Sequence, residues 1–161
     1  MSEEEFKAAK RDLLLEHLPY ELAMLHVGRN RATVGWLNNL FIECFALHAR
    51  SLLEFFGPRG SKDNFRATDF VVRYKETHTK EISTAERTML HDQIAHLGKR
   101  RTTETAKKLN GDIQERMFEA IKREVTDFHT KLSPEDAMTF ETGLRHQGVQ
   151  HDDIGLVVKD T

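Results

Sequence analysis

The 161-residue chain has little cysteine, little proline and no surplus of charge of either sign. A single cysteine, Cys44, excludes an intramolecular disulfide and any multi-cysteine zinc site. It lies in an apolar run, where a thiol is either a reactive nucleophile or a small buried residue. Net charge is −2, although 31% of the residues are charged, so bulk charge alone would not hold the chain on nucleic acid. A local basic patch stays open. No stretch approaches the ~20 continuous apolar residues that span a bilayer, so no membrane partner is expected. The acidic start, Ser2 followed by Glu3, Glu4 and Glu5, is unlike a signal peptide and makes the cytoplasm the expected location. Internal repeats, low-complexity segments and recognisable cofactor motifs are also lacking, and no cofactor is expected.

What is present reads as helices. Two of the three prolines stand where a helix begins. Ser2 caps a first helix running to about Glu16, with negative charge at the positive end of its dipole. Pro19 begins, or kinks into, a second segment that Gly28-Arg29-Asn30 closes. From Val34 to Phe56 neither glycine nor proline occurs. At about 100° per residue, Trp36, Leu37, Leu40, Phe41, Cys44, Phe45, Leu47, Leu52, Phe55 and Phe56 cover one broad side, and Ile42 and Leu53 extend onto the other. A helix so nearly apolar all round belongs at the centre of a bundle. Gly57-Pro58-Arg59-Gly60 ends it, and a basic loop follows to about residue 68. Phe70-Val71-Val72 reads equally well as a short helix or an extended piece.

Ser83-Thr84-Ala85-Glu86 has the capping-box form and opens a helix to about Leu97, with Leu90, Ile94 and Leu97 as its apolar stripe. Asn110 opens another, in which Ile113, Met117, Ile121, Val125, Phe128 and Leu132 recur at spacings of three and four. Ser133-Pro134-Glu135-Asp136 caps a last helix ending near Gly143. The expectation is therefore an all-α, single-domain bundle of about five helices around a central buried helix. Residues 1–143 form the domain and 144–161 a polar tail.

Two polar clusters carry the functional question. On the central helix, Asn39, Glu43, Arg50 and Glu54 fall at spacings of 4, 7 and 4, within about 60° of one another. The strip is either where the helix meets water, with Arg50 and Glu54 an ordinary i,i+4 pair, or the wall of a cleft or partner interface. His48 falls inside the apolar arc and reads as a core histidine with one hydrogen bond. The second cluster is His91-Asp92-Gln93-Ile94-Ala95-His96, followed by Lys99, Arg100 and Arg101. Asp92 and His96 share a face. His91 and His96, five apart, do not chelate a metal as an i,i+4 pair would, so no metal site is expected. A histidine one turn before a run of cations can either move a proton beside a bound phosphate or simply finish a basic helix end.

The stretch Ile94-Ala95-His96-Leu97, following a long helix that carries Phe45-Ala46-Leu47-His48-Ala49-Arg50, resembles small bacterial helical proteins and is similar to the HEPN superfamily. That resemblance implies a helical bundle, often dimeric, and in active members a metal-independent endoribonuclease of toxin–antitoxin or defence systems. The family motif is an arginine, often a polar residue after it, then a histidine. His96 takes the histidine position and Asp92 the polar one, as catalytic residues. His91 stands where the arginine should be, which leaves phosphate binding to Arg100 or Arg101, with Arg50 and Glu43 as further substrate contacts. RNA and a second copy of the chain are the partners this implies. A non-catalytic helical interaction module, acting as a homodimer or binding a partner protein, is the alternative. A metal-binding four-helix protein would need a Glu-x-x-His pair, which the expected helices lack.

Overall fold

A computed structural model describes residues 2–30, 35–58, 63–94, 109–150 and 153. The described residues hold six α-helices and no strand. These are α1 (Glu3–Asp12), α2 (Leu18–Gly28), α3 (Gly35–Phe56), α4 (Thr84–Ile94), α5 (Gly111–Lys131) and α6 (Pro134–His146). A π-helical turn over Leu13–His17 joins α1 to α2 without a break, so the chain folds as five rods, an all-α bundle. In that turn the Leu18 amide donates to the Leu13 carbonyl, five residues back. Pro19 falls in the first turn of α2, where its missing N–H costs least.

The caps follow the local sequence. The Glu5 amide donates to Ser2 Oγ at 3.2 Å, and the Glu5 carboxylate accepts from the Ser2 amide at 2.6 Å. Ser83 and Glu86 make the same reciprocal pair at 3.3 and 2.8 Å. Asn110 and Ser133 accept from Ile113 and Asp136. Each such cap is worth about 1 kcal/mol.

α3 packs against α2, α4 and α5. Its Phe45, Ala46, Ala49, Leu52, Leu53, Phe55 and Phe56 are buried. Gly28 lets α2 approach closely, since a Cβ there would stand 2.6 Å from Phe45 Cα. At the other end, Phe128 of α5 gathers Phe55, Phe56, Phe70 and Tyr74 at ring-centroid distances of 5.4, 5.6, 6.1 and 5.7 Å, mostly edge to face.

Two expectations change, and one left open is filled in. Leu40 and Leu47, placed on the broad apolar side of the central helix, are exposed, because α2 lies to one side of them and no described element covers the other. α6 runs past Gly143 to His146, and Leu144 and Val149 are buried, so the packed chain extends at least that far. Before Phe70 the chain forms one 3-10 turn, Ala67–Asp69, its start held by the Asp69 carboxylate accepting from the Arg66 amide at 2.7 Å. No helix of the described residues is long and apolar enough to cross a membrane.

Candidate interaction face and neighbouring cleft

The two polar clusters read from the sequence fare differently. On α3, Asn39 and Glu43 are exposed, while Arg50 is half-buried and donates through Nε to Glu54 at 3.0 Å. The strip is the open side of the helix. On α4, His91 is exposed, and Asp92 follows in the helical backbone with its side chain outside the described residues. His96, Arg100 and Arg101 also lie outside them. The structure therefore brings Arg50 and Glu54 together and leaves Glu43 beside them in solvent.

His48 behaves as a core histidine. It is buried, its Nδ1 lies 2.9 Å from Glu21 Oε2, and Tyr20 meets its ring edge-on at 5.6 Å. Cys44 Sγ donates to the Met24 carbonyl at 3.3 Å, and burial pushes the thiol up from its ordinary pKa, which disfavours the thiolate.

These contacts fix the register of the α2–α3 hairpin. Met24 is level with Cys44 and Glu21 with His48, which puts Tyr20 within a turn of Leu47 and Val27 within a turn of Leu40. At about 100° per residue all four point to the same side of the hairpin. They are exposed by 45% (Tyr20), 47% (Leu47), 41% (Val27) and 54% (Leu40), and they are four of the six large apolar side chains left exposed among the described residues. Scattered surface leucines need no explanation, but a concentration on one hairpin face does.

Beside this face, a cleft of about 320 Å³ opens between the π turn with α2 and the last two turns of α3, and residues 63–66 close one side. Its floor is Leu13, Leu18, Leu52 and Phe55. Glu21, Glu54 and Asp63 supply carboxylates to the polar rim, beside His17, Ser51 and Arg66. π turns often occur at functional sites, because the extra residue re-aims the side chains that follow. Here the side chain at the end of the turn is His17. Among the described residues no group of three or more histidines, cysteines and carboxylates could hold a metal ion.

One buried site escaped the sequence reading. Glu124 of α5 is fully buried, and its carboxylate accepts from the Tyr74 hydroxyl and from the amides of Thr77, His78 and Thr79 at 3.0, 2.5 and 2.8 Å. Burial alone would raise its pKa. The Tyr74 hydroxyl and the amides of Thr79, Thr77 and His78 outweigh that and hold it below the ordinary 4.5. Burial and the neighbouring carboxylate push the Tyr74 hydroxyl far above its ordinary range. Alongside, Arg87 ties the segment's turns together, donating to the Thr79 carbonyl at 2.7 Å and to Glu76 at 3.2 Å. This arrangement is a clamp fastening residues 74–79 to α5, with every carboxylate oxygen occupied. A signal for it was present, since Glu124 falls within about 20° of Met117 on the helical wheel, inside the apolar arc of α5.

Comparison with protein-family models, with curated proteins and with solved structures gives no match to the chain.

Proposed function

We propose that this chain is a helical interaction module that acts as a homodimer, pairing through the open face of the α2–α3 hairpin. The observation that carries the reading is the clustering of Tyr20, Val27, Leu40 and Leu47 on that one face. Charge fits an isologous arrangement. Glu43 and Arg50 flank Leu47 at −4 and +3, so a twofold axis crossing antiparallel α3 helices near Leu47 sets Glu43 of one copy beside Arg50 of the other. The test is mass by light scattering at micromolar concentration, for the native chain and for Leu40→Glu and Leu47→Glu. The expected result is twice the 18.6 kDa chain mass for the native protein, and 18.6 kDa for either variant with unchanged helicity. A native monomer at about 100 μM, or dimers in both variants, overturns the reading.

A second reading, a HEPN-like RNA-associated protein with ribonuclease activity, draws on one observation. α4 packs against α3 and ends its described turns with an exposed His91, on the helix that leads toward His96 and the following cations. Cellular RNA incubated with the native protein and with His96→Ala tests it. Identical RNA patterns end the catalytic version, and retention unaffected by Arg100→Ala with Arg101→Ala ends the binding one.

A further inference from the structure

The cleft beneath α2 is more than a gap in packing. Its volume, about 320 Å³, falls at the lower end of small-molecule sites. Leu13 and Phe65, partly exposed above the buried Leu18, Leu52 and Phe55, give it a floor that takes an apolar body. Its rim is rich in acceptors. Glu21 uses Oε2 for His48 and Glu54 uses Oε1 for Arg50, so each keeps its second oxygen without a hydrogen bond among the described residues. Ser51 Oγ donates to the Leu47 carbonyl at 3.4 Å, which leaves its lone pairs outward. Three acceptors at the mouth of an apolar floor suit a group that only donates and carries positive charge. Glu21, Glu54 and Asp63 outnumber Arg66, the one arginine of the lining, so a carboxylate or phosphate would meet net like charge, and a wholly apolar ligand would strand the carboxylates against it.

We propose that this cleft binds a small organic ammonium, a primary amine on a compact aromatic or branched apolar body, with the ammonium at Glu21 and Glu54 and the body against Leu13 and Phe65. His48 and Arg50, behind the carboxylates, hold them in place and are positioning residues. The site borders the proposed dimer face and shares Arg50 with it, so the titration is read on both the native chain and the Leu47→Glu variant.

The experiment is an amide chemical-shift titration of the full chain with phenethylammonium chloride. Phenylacetate and 2-phenylethanol, of the same body and different head, are parallel arms. Titration to about 10 mM fills a site of 1 mM affinity to roughly nine-tenths. The expected result is saturable shifts at Leu18, Ser51 and Phe55 with the ammonium. Binding weakens about tenfold or more in Glu54→Gln, which removes a charged acceptor at a half-exposed position. It is lost in Ser51→Leu, which fills the mouth, while both variants keep native helicity. No saturable shift in the folded protein, shifts centred elsewhere, or equal binding of phenylacetate or phenylethanol overturns the proposal. Should either variant fail to fold, the three heads compared on the native chain decide the matter alone.

Discussion

The Glu124 clamp and the α2–α3 face break the same rule in opposite directions. At the clamp a charged group is inside, and four donors from a segment some 45 to 50 residues away surround it. At the hairpin face, apolar groups are outside and nothing described covers them. A buried charge is tolerated only when its hydrogen bonds are complete, so the clamp is a finished structure with no capacity left for a ligand. An exposed apolar cluster is unfinished in the same sense, and the proposed dimer would complete it. If the proposed dimer holds, the burial of a titratable group is a poor guide to the working surface of this protein, and the incomplete face is the better one.

The largest effect that sharpens this contrast is Glu124→Ala. It strands the Tyr74 hydroxyl and three amides at once, and the expected loss is about 3–4 kcal/mol, read as a lower urea midpoint. Tyr74→Phe removes one donor to a charged acceptor and is expected to cost about 1.5–2 kcal/mol. In the double variant the two losses should fall short of their sum, because the pair acts through one bond. Full additivity would break the view of the clamp as a single unit. Leu47→Glu, by contrast, should leave monomer stability within about 0.5 kcal/mol while abolishing the dimer.

The same clamp makes stability depend on pH at both ends. Glu124 has its folded pKa below the ordinary 4.5, so its contribution is fully present above that value and is lost as pH falls through the folded one. Tyr74 has its folded pKa raised, so its contribution is present below its ordinary 10.0 and drains away as pH rises past it, when the unfolded chain ionises and the folded one does not. Urea midpoints across pH should fall on both sides of neutrality, and Glu124→Gln should flatten the acid limb. An unchanged acid limb would mean that other carboxylates carry it.

Close approach comes next in size. Gly28 abuts the Phe45 backbone, which cannot yield as a flexible side chain can. Gly28→Ala should cost about 1–3 kcal/mol by prising α2 from α3. Because the hairpin register sets both the dimer face and the cleft, the variant should also weaken self-association. Gly148, where a Cβ meets nothing within 4 Å, is a control for side-chain bulk, although its φ of +70° adds backbone strain to any substitution.

What could be read from the sequence was what is local. The Ser2, Ser83, Asn110 and Ser133 caps involve residues three positions apart, and each forms. The α5 stripe is a period, and Met117, Ile121, Val125 and Phe128 are all buried. His48 was legible as a core histidine from its angle alone, but not Glu21, its partner 27 residues earlier. The π turn left no readable signal, since one added residue in a continuous helix changes no residue type. The clamp was half legible. The wheel places Glu124 inside, but nothing local announces donors at 74–79. The exposed Leu40 and Leu47 defeated the reading for a related reason: periodicity shows that a side is apolar, and only tertiary placement shows whether a neighbour covers it.

The smallest effect tests the polar strip itself. Arg50 and Glu54 are 36% and 44% exposed, so water screens their attraction and ordering two long side chains offsets part of it. Arg50→Ala should change monomer stability by no more than about 0.5 kcal/mol. If that were its only consequence, the strip would be the wetted side of a helix. The proposed dimer requires a second consequence, since it would set Arg50 of one copy beside Glu43 of the other. Arg50→Glu should then weaken self-association and Glu43→Lys should do the same, while the two together restore it with the charges exchanged. Light scattering over a dilution series reads all three. Rescue by the double variant would tie the strip to the apolar face it borders. Two independent losses without rescue would leave Leu40 and Leu47 as the interface and return Arg50 to the surface.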